Sequence, residues 1–245
     1  LMAELGADIT IACPAFPTTG RTIYNGHLFV FGDLLSDSSM RNHPLTPMTD
    51  ANLVRVLQRQ TKLPVGLVAA ADVMQGSARI KAALNAATEE RTRIAIVDAI
   101  SDDQLFDIGT ACAGLELITG GSGIACGLPE NFRRAGLVAN DASAAAHIPD
   151  TPGHEAVIAG SCSSATLAQL AHAERSCPVL RIDPVSVMSG ADVAAEALAW
   201  AEAHLGNTRP IFAASADPDQ VATAQQQFGR MEIGEALEHT LAKIA

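Results

Sequence analysis

Short apolar runs alternate along this chain with longer stretches in which apolar residues recur every three or four positions. These are the patterns of buried strands and of amphipathic helices. The first run is Asp8 to Cys13 (DITIAC). A Pro-, Gly- and Thr-rich stretch from Pro14 to Gly20 reads as loop, His27 to Phe31 as a second strand, and residues 32–48 as polar and irregular. Thr49 and Asp50 are placed to cap a helix that carries Leu53, Val54 and Leu57 on one face.

From there the rhythm is regular. Strands are expected at Val65–Ala70, Arg93–Ala99 and Leu115–Thr119, and helices at Ser77–Glu90, Ser101–Ala113 and Ser122–Arg133. Ser101 and Gln104 have the spacing of a capping box. The pattern halts between Ala135 and Gly153, a small, polar stretch with Asp141, Ser143, Pro149 and Pro152. It resumes with strands at Ala156–Ala159, Val179–Ile182 and Pro210–Ala213, and helices at Ser163–Arg175, Ala191–Leu205, Asp219–Phe228 and from about Ile233 onward. Strands alternating with helices imply an α/β fold with mainly parallel sheets flanked by helices. The break divides the chain into two domains, 1–134 and 154–245, joined by a linker at 135–153. Both ends read as cut inside elements: Leu1 enters the tail of a helix, and Ile244 and Ala245 stand in an amphipathic helix without a cap. The expectation is a piece of a longer protein.

Composition narrows the function classes. At 48% hydrophobic residues the chain can bury a substantial core, and its net charge of −11 with no Lys/Arg cluster argues against a nucleic-acid partner. The charge is uneven. Residues 1–62 hold five basic residues (Arg21, Arg41, Arg55, Arg59, Lys62) against five acidic ones (Glu4, Asp8, Asp33, Asp37, Asp50), so the remainder carries the whole excess. A neutral segment in an acidic protein suits an anionic ligand, or is simply uneven surface charge. Five cysteines without a CxxC pair fit a reducing, cytoplasmic location. No apolar run reaches the ~18 residues of a membrane span, and no basic-then-apolar leader opens the chain. CxxC and HxxxH metal spacings are absent, so no metal site is expected.

Ligands of open parallel sheets bind beyond the carboxyl ends of the strands, and several of those ends carry candidate chemistry. After the first strand, Thr18, Thr19 and Arg21 offer hydroxyl and guanidinium donors on a loop stiffened by prolines. Arg can grip both oxygens of a carboxylate, although the same loop reads equally as solvated surface. His43 can act as a base or anion donor, or as an ordinary loop histidine. Asp98 closes the strand RIAIVDA and can serve as hydroxyl ligand or base, whereas Asp102 and Asp103 suit the first turn of a helix. Gly120, Gly121, Ser122 and Gly123 lie between strand and helix, where backbone N–H groups can approach a phosphate; a plain tight turn is the alternative. Ser161 and Ser163 occupy the equivalent place in the second half, Ser163 also as a simple N-cap. The glycine motif lacks the P-loop lysine and misses GxGxxG, because Cys126 stands at the third glycine.

Taken together, CPAFPTTGRTIYNGHLFV, SSMRNHPLTPMTDANLVRVLQRQT, the VDA strand end with SDDQL, ITGGSGIACGLP and IAGSCSSATLAQ resemble the four-carbon acid sugar kinases, long known only as a domain of unknown function. Within that family they are most similar to the branch acting on 3-oxo-tetronates. The resemblance spans the chain in order and is most specific over residues 13–50. It implies ATP-dependent phosphorylation of the C4 hydroxyl of a tetronate or 3-oxo-tetronate, with ATP and Mg²⁺ required, an acid-sugar-binding domain first and a nucleotide-binding domain second. Arg21 with Thr18 and Thr19, and His43 and Asp98, would fall on the substrate side, Gly120–Gly123 near the transferred phosphate, and Ser161 and Ser163 on the nucleotide side. The partners implied are a small sugar acid and ATP, with homo-oligomerisation left open. An Asp-Asp-Phe-Thr-Gly-Ala-like segment and a basic, Ser/Thr-rich one would precede Leu1, and Gly-Gly-Glu-Thr-like and Lys-Ser-Gly-Asn-Phe-Gly-like segments would follow Ala245. No catalytic base is therefore assigned, and this stretch alone is expected to be inactive. Two other readings compete: a sugar-acid-binding module without chemistry, and a nucleotide-dependent oxidoreductase. For the second, the acidic ribose ligand would have to be Asp141, inside the linker.

Overall fold

The computed structural model describes residues 1–43, 46–138, 149–206 and 208–245. The chain packs as two compact units, Leu1–His147 and Ile148–Ala245. Of the stretch read as a linker, 135–138 and 149–153 are exposed, while 139–148, including Asp141 and Ser143, lie outside the described residues.

The first unit runs α1 (Met2–Leu5), β1 (Thr10–Cys13), β2 (Arg21–Tyr24), β3 (His27–Val30), β4 (Asp33–Leu34), α2 (Leu53–Gln58), β5 (Val65–Val68), α3 (Ala70–Val73), α4 (Ser77–Glu89), β6 (Ile94–Val97), α5 (Asp102–Ala111), β7 (Ile118–Gly120) and α6 (Pro129–Arg134). Strands β5, β6, β1 and β7 lie side by side in that order as a parallel sheet, with Ile11 opposite both Ala95 and Ile118. Ile11 and Val97 of the sheet are fully buried, as are Ile80 of α4 and Leu105 and Ile108 of α5, which share its core. This is the near-continuous apolar character of strands covered on both faces.

Strands β2, β3 and β4 form a separate antiparallel sheet. β2 is absent from the sequence-based expectation, yet its signal is present. Asn25 and Gly26 join β2 to β3 with φ of 47° and 71°, the two left-handed positions of a tight hairpin turn that Asn-Gly favours. The hairpin docks through Ile23, which exchanges backbone hydrogen bonds of 2.8 and 3.1 Å with Ala99 just past β6.

Three local expectations need correction. Helix α2 is capped by Asn52, whose side chain accepts from the Arg55 N–H, and not by Thr49 or Asp50. The capping box at Ser101 does not form: Ser101 makes no side-chain cap, and Gln104 accepts instead from the Ile100 N–H at 2.7 Å. The helix expected over 122–133 is split into a 3₁₀ turn at Ser122–Gly127 and α6. The cause is close packing. A β-carbon on Gly127 would stand 2.2 Å from the Leu105 carbonyl, and one on Gly109 of α5 would stand 2.2 Å from that of Gly127.

The second unit contains β8 (Val157–Ala159), α7 (Ser164–Ala173), β9 (Val179–Arg181), α8 (Pro184–Met188), α9 (Val193–Glu202), β10 (Ile211–Ala213), α10 (Pro218–Phe228) and α11 (Arg230–Ile244). Its parallel sheet has β10 between β8 and β9. Ala194, Ala197 and Ala201 of α9 pack with Ile182, Phe212 and Ile244. Small alanines let the helix lie close to the sheet, which explains how a core with so few aromatic residues stays filled.

Candidate functional site

A cleft of about 810 Å³ opens in the first unit where β1 and β7 end. Its floor and walls are apolar at Phe16, Leu28, Met40 and Met48, and polar at Thr19, Arg21, Gly121 and Ser122. Thr46, Thr49, Asp50 and Arg59 complete the polar side. The structure thus joins Thr19 and Arg21 from the first loop with Gly121 and Ser122 from the glycine turn. The reason is again backbone contact. The Gly121 N–H donates to the Cys13 carbonyl at 3.1 Å, and β-carbons on Gly120 and Gly123 would lie 2.3 Å from the carbonyls of Cys13 and Ala15. Only glycine allows the two loops to abut.

The other expected residues stand off the cleft wall. Thr18 is tied to Asp102, its N–H at 3.2 Å and its hydroxyl also donating to that carboxylate. His43 lies behind Thr46, accepting the Thr46 N–H at Nδ1 at 3.1 Å. Asp98 is fully buried. Its carboxylate accepts the N–H groups of Asn25 at 2.6 Å, Gly26 at 2.9 Å and Ala70 at 2.8 Å. That bonding makes it a staple between the hairpin turn and the start of α3, and the expected contact with a substrate hydroxyl has no exposed surface to use. Gly120 and Gly123 shape the turn from behind. Cys13 opens the most specific stretch of the sequence, but burial pushes its thiol up to about 11, and that of Cys112 up to about 12. Neither is an activated nucleophile.

Sequence reasoning passed over an ionic network at the cleft's lining. Asp50 accepts from Arg55 Nε at 2.7 Å and Nη2 at 2.6 Å, and from Arg59 Nη2 at 2.7 Å. The Arg55 hydrogen bonds hold the Asp50 carboxyl well below the usual carboxylate range, despite some desolvation, with the Asn52 N–H and the charges of both arginines adding to the effect. The available signal was the spacing: Arg55 and Arg59 are four apart, hence on one helix face, and Asp50 precedes the cap.

In the second unit, Ser161 and Ser163 follow the carboxyl end of β8. Ser163 caps α7, accepting the Thr166 N–H at 3.2 Å, and Ser161 accepts the Ser163 N–H at 3.2 Å. Beside them the Ala214 N–H donates to the Ala159 carbonyl, so Ser215, which follows Ala214, comes after β10 at the same edge of the sheet. Ser215 is buried and, among the described residues, its hydroxyl has no hydrogen-bond partner. The starts of α8 and α10 are occupied by the carboxylates of Asp183 and Asp217, whereas α7 begins on a neutral serine. Of these three starts, α7 is the one whose cap does not repel an anion.

Comparison with known proteins gives these two regions a context. Residues 1–128 match the profile of a sugar-binding N-terminal domain, and residues 156–245 that of a nucleotide-binding C-terminal domain. The 3-oxo-tetronate kinases of Burkholderia multivorans and Cupriavidus necator are 52% and 51% identical over the whole of this chain, which covers 57% and 56% of their lengths. A Haemophilus influenzae protein, solved as a member of a family then of unknown function, superposes with a TM-score of 0.59 at 36% identity, over 99% of this chain and 58% of its own. A Salmonella typhimurium protein described as a putative tRNA synthase gives 0.72 at 31% identity, over 99% and 57%. The chain therefore spans less than two thirds of the relatives it matches.

Proposed function

The chain belongs to the four-carbon acid sugar kinase family, with its sugar-binding N-terminal and nucleotide-binding C-terminal domains, and on that premise we propose that the intact protein transfers a phosphoryl group from ATP to the C4 hydroxyl of a 3-oxo-tetronate or related tetronate. The observation that carries this reading is identity of up to 52% to named 3-oxo-tetronate kinases along the entire chain. The physical support is a cleft that sets a guanidinium and hydroxyl donors against an apolar floor, which suits a small hydroxylated acid.

In this mechanism the first unit binds and orients the acceptor. Arg21 clamps the carboxylate, while Thr19 and Ser122 hydrogen-bond the carbon chain's oxygens. Thr18, His43 and Asp98 act from behind: Thr18 anchors the first loop to α5, His43 holds Thr46, and Asp98 fixes the hairpin that carries Arg21. The Gly120–Gly123 turn lies at the end of the acceptor from which the phosphoryl group arrives. Phosphoryl transfer depends on in-line positioning and charge neutralisation more than on covalent chemistry by the protein, so a rigid acceptor site is the contribution this unit can make.

The second unit takes the nucleotide at the carboxyl edge of its sheet, with Ser161 and Ser163 at the start of α7. The partnerless Ser215 hydroxyl fits a site awaiting a polar ligand there. Mg²⁺ supplies neutralisation of the phosphate charge and enters with ATP. No residue described here is assigned as its ligand or as the catalytic base.

The test is ATP consumption by the intact protein against a panel of four-carbon acids, with Arg21→Ala alongside. Turnover is expected with at least one acid. Arg21→Ala should raise its KM about tenfold or more, the loss of a charge-assisted hydrogen bond. An unchanged KM removes the clamp role. Acid binding by folded protein without turnover would favour the binding-module reading.

A further inference from the structure

The cleft is lined by two guanidiniums, and the second, Arg59, is held there by a carboxylate that can do nothing else. An ionised carboxylate has about four acceptor sites. On Asp50, Oδ1 takes the Asn52 N–H at 3.0 Å and Arg55 Nη2 at 2.6 Å, and Oδ2 takes Arg55 Nε and Arg59 Nη2, each at 2.7 Å. Asp50 is saturated, so although it lines the cleft it neither accepts a substrate hydroxyl nor serves as a base. Arg59 is the opposite case. Its guanidinium spends one of five N–H donors on Asp50 and, among the described residues, makes no other hydrogen bond. Its side chain is 62% exposed. The Arg21 guanidinium is similarly underused, with a single hydrogen bond among the described residues, of 3.4 Å to the Thr19 carbonyl. The charged residues of the lining are therefore two arginines and one carboxylate, and Arg55 compensates that carboxylate from outside.

We propose that Arg59 is a specificity-determining residue of this cleft, contacting the carboxylate end of the sugar acid together with Arg21, and that Asp50 is its positioning residue. The inference rests on the acid-kinase reading above and deepens it. One guanidinium would tolerate an uncharged sugar or polyol of the same length, because hydroxyls can replace part of its hydration. Two guanidiniums facing one ligand each gain charge-assisted hydrogen bonds from an anion that an uncharged hydroxyl does not match. Discrimination between an acid and its uncharged analogue is thus assigned to the pair, with Arg59 fixed against thermal wandering by Asp50. A mobile arginine would lose more entropy on binding.

The experiment uses the intact protein, steady-state kinetics and calorimetric acid binding without ATP. Arg59→Ala is expected to raise KM for the acid about tenfold to a hundredfold, leave kcat and the KM for ATP within about twofold, and leave any residual kcat/KM for the matching uncharged polyol unchanged. Arg59→Lys keeps the charge and should recover part of the loss. Asp50→Asn should shift the acid KM in the same direction by less. Arg79→Ala removes a 2.7 Å pair with Asp72 away from the cleft lining and should leave all constants within about twofold. Equal losses for acid and polyol, or no loss, would overturn the assignment while leaving the kinase reading intact. Folded wild-type protein that neither binds nor phosphorylates any acid would overturn both.

Discussion

In the first unit α2 has a side-chain cap, from Asn52, while α4, α5 and α6 start without one. In the second unit α11 starts on Gly229 without a side-chain cap, but α7, α8, α9 and α10 start on Ser163, Asp183, Asp192 and Asp217, whose side chains each accept an N–H of the helix's first turn. The first unit instead gains its order from distant parts of the chain. Asp98 bonds residues 73, 72 and 28 positions away, and glycines at 109, 120, 123 and 127 press against foreign backbone. The difference teaches where each unit stores its structural information: in short-range chemistry in the second, in long-range contact in the first. The candidate cleft lies in the unit organised by contact, where several loops must meet at one point.

Asp98→Ala is the strongest test of this contrast. It leaves three N–H donors without an acceptor, those of Gly26 and Ala70 buried and that of Asn25 partly so, and each buried loss costs about 1–3 kcal/mol. A fall in stability of about 3 kcal/mol or more is expected in urea unfolding, with hydrogen-exchange protection lost in β1 and β6 and kept in β10. A loss below about 1 kcal/mol would mean that the hairpin is held by other contacts.

Gly109→Ala is a sharper probe, because the two principles predict opposite signs. Helix propensity favours alanine by up to about 1 kcal/mol, but its β-carbon would meet the Gly127 carbonyl. Overpacking of about 1–3 kcal/mol should win, and the variant should melt lower than the wild type. A stabilised variant would show that the α5 contact yields freely.

The smallest effect is expected in the second unit. Asp217 and Gln220 form a complete capping box on α10, and Asp217→Ala should cost about 1 kcal/mol, read as earlier exchange of the α10 amides with β1 and β6 unchanged. A larger loss that spread to the first unit would dissolve the comparison.

Legibility in the sequence follows the same division. Strands β1, β5 and β6 announce themselves as apolar runs, and the alternation with helices was enough for two sets of parallel strands. Ser163 is a cap by its local chemistry, and Asp217 with Gln220 and Asp183 with Pro184 carry equally local signals. Thr19, Arg21, Gly121 and Ser122 could be named as candidates from residue type alone, but their meeting in one cleft could not. Asp98 looked like a ligand because an acid at a strand end often is one. Its three backbone partners come from other segments, so only the folded chain shows that it is spent on the scaffold. Arg59 was visible as a charge and invisible as a wall of the cleft.

The sequence by itself determined the order and type of most elements, since hydrophobic period, caps and turn residues act within a few positions of one another. It also carried the family resemblance, whose most specific stretch, residues 13–50, supplies Thr19 and Arg21 to the cleft. The tertiary structure alone decided which polar groups remain available. A donor or acceptor is used up by whichever partner lies within about 3 Å, and that partner is set by long-range packing. Asp50 is saturated that way and Asp98 is buried on three N–H groups, whereas Arg21 and Arg59 are left with donors to spare.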